Sequence, residues 1–103
     1  MPFENLVGIN VTKPGIYELY RAAMTPILTR MGGSFRADFD VSRVLKNPGD
    51  KPVNRVFVIR FPDRAAHKAF FSNREYLKAR AEFFERGVDA VTIIAEYDLP
   101  ETK

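Results

Sequence analysis

The chain has no cysteine and no tryptophan, and a single histidine, His67, in 103 residues. Without cysteine there are no disulfides and no thiolate chemistry. One histidine and no cysteine exclude a multi-histidine or mixed thiolate metal site within one chain. A haem, which needs one axial ligand, is not excluded on that ground, but a lone helical histidine is more often core or surface trim, and no cofactor is expected. No stretch approaches the ~18 consecutive apolar residues of a membrane span. The start, MPFENLVGIN, carries Glu4 where a secretory signal would be basic, so a cytoplasmic protein is expected. The charge excess is mild, +3, with acids and bases interleaved. A clustered basic stripe is missing, and with it the usual footprint of nucleic-acid binding.

What is present suits one globular domain over residues 1–103: 46% apolar residues, 13% aromatic, nine of them Phe. The chain divides by its breakers. Residues 4–11 read as a strand. Pro14 then opens a helix in which Ile16, Leu19, Tyr20, Ala23 and Ile27 make an apolar stripe. Pro26 bends its last turn, and Gly32-Gly33 ends it with one residue left-handed. Residues 34–45 alternate with period two and form a second strand; KNPGDKP, 46–52, is a turn; 53–61 is a third strand.

A hairpin symmetric about Gly49 sets Val41 against Phe57, Phe39 against Ile59 and Ala37 against Phe61. It also sets Asp38 against Arg60 and Arg43 against Arg55. Phe57, Ile59 and Phe61 then hold the helices, while Val56, Val58 and Arg60 face the other way. Asp63 caps a helix carrying His67, Phe70 and Phe71. Ser72 with Glu75 forms a capping box that restarts a helix running to Gly87. Residues 88–97 are the last strand, and Leu99–Lys103 a tail.

The order β-α-β-β-α-β predicts an α+β, ferredoxin-like fold: a four-stranded antiparallel sheet with two helices on one face. The strands are apolar on both faces, so a monomer leaves apolar sheet in water. The expectation is a homodimer through the open sheet face.

These residues carry a resemblance. Val11-Thr12-x-Pro14, Tyr17 and Tyr20, Pro26-Ile27-Leu28, Met31-Gly32-Gly33-x-Phe35, the Phe61-Pro62-Asp63-Arg64-Ala65-Ala66 corner and Phe70-x-Ser72-x-x-Glu75-Tyr76 are similar to a domain-of-unknown-function group in the dimeric α/β-barrel superfamily. The resemblance spans nearly the whole chain and implies the ferredoxin-like fold and a dimeric α/β barrel, but no activity for the group itself. Wider kin include antibiotic-biosynthesis-type monooxygenases that work without cofactor, small isomerases and haem enzymes, a link of fold only. The group tends to carry a basic residue where this chain has Asp38 and an acidic one where it has Arg60. The reversal of both signs fits a cross-strand pair and argues against either being catalytic.

For chemistry, His67 is the candidate base, with Asp63 one helical turn before it; Asp63 is already occupied as a cap. Tyr17 and Tyr20 are candidate ligand-binding phenols whose bland alternative is core packing. Arg43 and Arg55 are candidate anion contacts whose bland alternative is solvent or a nearby acid. No nucleophile elbow, phosphate loop or dinucleotide fingerprint occurs. The RNA-recognition module shares the element order, but strand 53–61 lacks its glycines and the first strand its aromatic. The expected function is binding or cofactor-free conversion of a small, partly apolar molecule. The alternative is a non-catalytic dimeric module, structural or stress-related. A cavity reached by His67, Tyr20 or an arginine favours the first, and a solid, Phe-filled core between sheet and helices the second.

Overall fold

Alternation along the first strand, β1 (Phe3–Val11), turns Phe3, Asn5, Val7 and Ile9 to one face, and each is nearly inaccessible to solvent. That face receives the helices. The computed structural model describes residues 1–100, so the expected tail lies outside the described residues from 101 onward. Its first residue, Leu99, donates its N–H to Pro2.

Helix α1 (Pro14–Arg30) has proline at its first position and runs through Pro26 for another turn. Its buried stripe is Tyr17, Tyr20, Met24, Ile27 and Leu28; Leu19, expected inside, is half exposed. The stripe is rotated from the expected one because the largest side chains, the two tyrosines and Met24, are the ones that face the sheet. The helix closes on Gly32, at φ +83°, with Gly32 N–H on Thr29 and Gly33 N–H on Leu28.

Strands β2 (Ser34–Asp40), β3 (Arg55–Phe61) and β4 (Val88–Asp98) complete an antiparallel sheet in the order β2-β3-β1-β4. The expected hairpin register is overturned. Asp38 lies opposite Phe57 and Phe39 opposite Val56, and a bulge at Arg36 then sets Phe35 opposite Ile59. The bulge swaps the faces of β2: Phe35 turns to the helices, while Phe39, 60% exposed, turns to the open face with Val56 and Val58.

The Asp38–Arg60 and Arg43–Arg55 pairs therefore do not form. Asp38 instead takes two hydrogen bonds from Arg55 and one from Arg21. Arg60 joins Arg36 on Glu4, a carboxylate with no exposed surface on the open face. Burial pushes Glu4 up, but hydrogen bonds from Arg36 and Tyr97 and the charges of Arg36 and Arg60 prevail and hold it below its ordinary value.

Residues 41–54 form a longer connection than the expected 46–52, and it lies partly across the open face. Val53 packs over Gly8, where an added Cβ would meet its Cγ1 at 3.0 Å, and Gly49 lies by Thr92. Asn54 ties the connection to β1 through Ile9 O and both backbone groups of Val11. One further backbone bond, Val41 N–H to Asn54 O, follows the last regular pair, Asp40 and Arg55.

Asp63 caps α2 (Arg64–Phe71) by accepting from Ala66 N–H at 2.7 Å. The expected Ser72–Glu75 box is absent. Ser72 Oγ donates back to Lys68 O, and Asn73 caps α3 (Arg74–Ala79) by accepting from Tyr76 N–H. The helix expected to run on to Gly87 widens into a π turn, Arg80–Phe84, before a last turn Glu85–Gly87. The helices cover one face of the sheet, with Leu28, Phe61 and Phe70 fully buried between the layers. The fold is α+β and ferredoxin-like. No helix among the described residues is long and apolar enough to cross a membrane.

Candidate functional site

Between sheet and helices lies a cavity of about 430 Å³, within the range of small-molecule sites. Its floor is mostly aliphatic and aromatic side chains of all four strands. Its roof is Tyr17, Tyr20 and Met24 from α1, His67 and Phe71 from α2, Tyr76 from α3, and Arg80 and Phe84 from the π turn. Single π turns inside α-helices recur at functional sites because the extra residue re-aims neighbouring side chains; here Arg80 and Phe84, both on that turn, reach the cavity.

His67 sits at one end. The Asp63 cap fixes where α2 begins, and one turn later the imidazole meets β1: His67 Nε2 lies 3.0 Å from Asn5 Nδ2. Phe3, Phe61 and Phe71 surround the ring, with centroids 4.9–5.1 Å away. Burial lowers the imidazole's pKa from its ordinary value, Glu96 opposes, and Arg64 adds to the lowering. The ring is thus neutral at physiological pH, with Nε2 accepting from the Asn5 amide N–H and Nδ1 carrying the ring hydrogen. Asn5 is 4% exposed, and its Oδ1 has no hydrogen-bond partner among the described residues. An unpaired buried amide oxygen costs about 1–3 kcal/mol.

Tyr17 and Tyr20 both line the cavity with their hydroxyls engaged. Tyr20 shares a 3.0 Å hydrogen bond with Tyr76, and Tyr17 accepts from Arg21 Nε at 2.7 Å. Burial raises the pKa of both, so they stay neutral phenols. Arg55 lies outside the cavity, bound to Asp38 and bordering a separate groove with Tyr17 and Asn54. Its hydrogen bonds to the Asp38 carboxylate raise its pKa further. Arg43 lies on the 41–54 connection, exposed, and lines neither cavity nor groove.

Asn5, Tyr76, Arg80 and Glu96 complete the cavity without having been singled out in the sequence. Asn5 had a signal: a polar residue in phase with Phe3, Val7 and Ile9. The π turn that brings Arg80 inward leaves no pattern of its own. No cluster of metal-ligating side chains occurs among the described residues.

A family profile described as a domain of unknown function (DUF1330) matches residues 6–97. No protein of curated function matches the chain. Among solved structures, a protein of unknown function from Rhodopseudomonas palustris is similar, at 18% identity and TM-score 0.81, over 98% of this chain and 84% of that one. A dimeric protein of unknown function with a ferredoxin-like fold from Bacteroides fragilis matches at 12% identity and TM-score 0.63, over 95% and 96%. SnoaB, a cofactor-independent oxygenase from Streptomyces nogalater, matches at 16% identity and TM-score 0.58, over 98% and 93%. At these identities the likeness is one of fold.

Proposed function

We propose, for a chain that belongs to the DUF1330 family of domains of unknown function, that the cavity takes a small, partly apolar, planar molecule and that His67 moves a proton on it without a cofactor. The observation that carries this reading is the Asn5–His67 pair: a neutral imidazole hydrogen-bonded to a buried amide, both residues lining an aromatic cavity. A ligand hydroxyl, phenolic or enolic, at the Asn5 end of the cavity lies next to His67. As the ligand displaces the Asn5 amide N–H from it, His67 Nε2 accepts a proton from such a group, or from a C–H beside a carbonyl, and the electron pair moves onto the carbonyl oxygen as enolate. Return of the proton to another carbon is an isomerisation. Reaction of the same electron-rich anion with dioxygen is the oxygenase alternative, and the fold shared with SnoaB is compatible with it.

The competing module without chemistry would have the space between sheet and helices filled, and the open cavity weighs against it. The reading includes a homodimer through the open face, supported by the exposure of Phe39 and Ile94 there.

The test is a thermal-shift screen of phenols, cyclic ketones and aromatic acids against the full chain, then His67→Ala on each hit. Hits whose turnover disappears with the histidine are expected. A variant that converts the hit at the wild-type rate removes the proposed base, and a flat screen favours the inert module.

A further inference from the structure

Arginines of this chain that are partly buried come with a carboxylate, with one exception. Arg21 and Arg55 share Asp38, and Arg60 lies on Glu4. Arg80 is buried to a similar degree, lines the cavity, and has no acidic partner among the described residues. Its guanidinium lies 5.2 Å from the centroid of Phe84, whose ring in turn lies 4.9 Å from Tyr20. A guanidinium offers five donors in a planar fork, and one held part-way out of water is poorly satisfied without an anion.

The opposite charge on the cavity wall, Glu96, sits at the other end. Glu96 lines both the cavity and the shallow groove outside it, as do His67 and Phe71; Arg80 does not reach that groove. Arg64, the arginine of the groove, is bound to Asp98 by three hydrogen bonds. The cavity is therefore electrically sorted, with an acid at the histidine end and an unpaired cation at the Tyr20–Phe84 end.

We infer that the cavity's ligand is a carboxylate on a planar apolar frame, its carboxylate on Arg80 and its hydroxyl or carbonyl end toward Asn5 and His67. This rests on the reading of the cavity as a ligand site. Glu96 excludes the reverse orientation, since it would set two anions side by side. The fork of Arg80 matches a carboxylate in geometry as well as charge, and the rings of Tyr20, Tyr76 and Phe84 accept the flat frame.

The probes are 2-naphthoate and 2-naphthamide, equal in shape and different in charge, titrated calorimetrically against the full chain. The naphthoate is expected to bind roughly tenfold or more tightly than the amide. The ratio of the two affinities is expected to fall toward one in Arg80→Met, to be largely kept in Arg80→Lys, and to rise in Glu96→Gln. A ratio has the further use that a small loss of fold lowers both affinities and leaves it unmoved. Should Arg80→Met not fold, Arg80→Gln carries the same reading. Equal affinities in the wild type, or an unchanged ratio in the neutral Arg80 variant, overturn the carboxylate inference while leaving the cavity a ligand site. Failure of both probes to bind at about 1 mM overturns the two together.

Discussion

Asn5 and His67 are 62 positions apart in the chain and 3.0 Å apart in the fold. They join the central strand β1 to the first turns of α2, and they do so at the wall of a cavity. Such a contact can be a structural tie or part of a site, and stability separates the two. Asn5→Leu removes the unpartnered Oδ1 from a buried place and leaves a side chain of similar size. If the pair serves a site, the variant is expected to be as stable as the wild type or up to about 1 kcal/mol more stable, and to lose ligand binding. Denaturant unfolding measures it. A loss above about 2 kcal/mol would make the pair a structural tie.

The stability of the protein is expected to fall in mild acid because of His67. Its folded pKa lies below the ordinary 6.5, chiefly through burial. As the pH drops through about 6.5 the unfolded chain takes up a proton that the folded chain does not, so the unfolded state gains. Nothing is lost above that pH, where both states hold neutral imidazole, and the loss levels off once the folded pKa is passed. Each unit of difference is worth about 1.4 kcal/mol. Comparing wild type and His67→Gln between pH 7.5 and 5 isolates this contribution. A wild-type curve parallel to that of the variant would show that burial leaves the imidazole unperturbed.

Gly32→Ala is expected to cost about 1–2 kcal/mol, from the left-handed backbone alone. The substitution also brings a Cβ to 2.9 Å from Pro62 Cγ, pressing the end of α1 against the corner before α2. The melting temperature should drop by roughly 5–15 °C. An unchanged melting temperature would mean that the helix ends differently in solution.

Phe39→Glu tests the assembly. Wild-type chain is expected at twice the chain mass in light scattering, and the variant, with a charge on the β2 edge of the open apolar surface, at the chain mass. The helices lie on the other face of the sheet, so the variant should keep its far-ultraviolet circular dichroism. A monomeric wild type would remove the dimer from the reading.

The strands, the helix starts and the element order were legible because they rest on local physics. Period-two apolar residues in 53–61, proline at the first turn of α1 and Asp63 before α2 each act on the few residues around them. The hairpin register was not. Matching apolar residues about Gly49 ignored two facts of tertiary origin: Asn54 pairs with β1, and Asp38 is drawn to Arg21 and Arg55. A bulge at Arg36 reconciles them, at the expense of leaving Phe39 exposed. The Ser72–Glu75 box failed for a related reason. Two adjacent residues, Ser72 and Asn73, can both cap, and the turn between α2 and α3 put Ser72 on the end of one helix and Asn73 on the start of the next.

By itself the sequence determined the fold class, the capped start of α2 and the position of His67 on that helix, one turn after Asp63. Only the tertiary structure decided what His67 touches. Hydrophobic periodicity says which face of an element is buried, and it is blind to whether the space facing that side is filled. That depends on how far the roof stands off the floor, and here the π turn brings Arg80 and Phe84 to the roof and the bulged β2 brings Phe35 to the floor. A cavity with an imidazole at one end and an unpaired guanidinium at the other is thus a property of packing, which no single segment of the chain encodes.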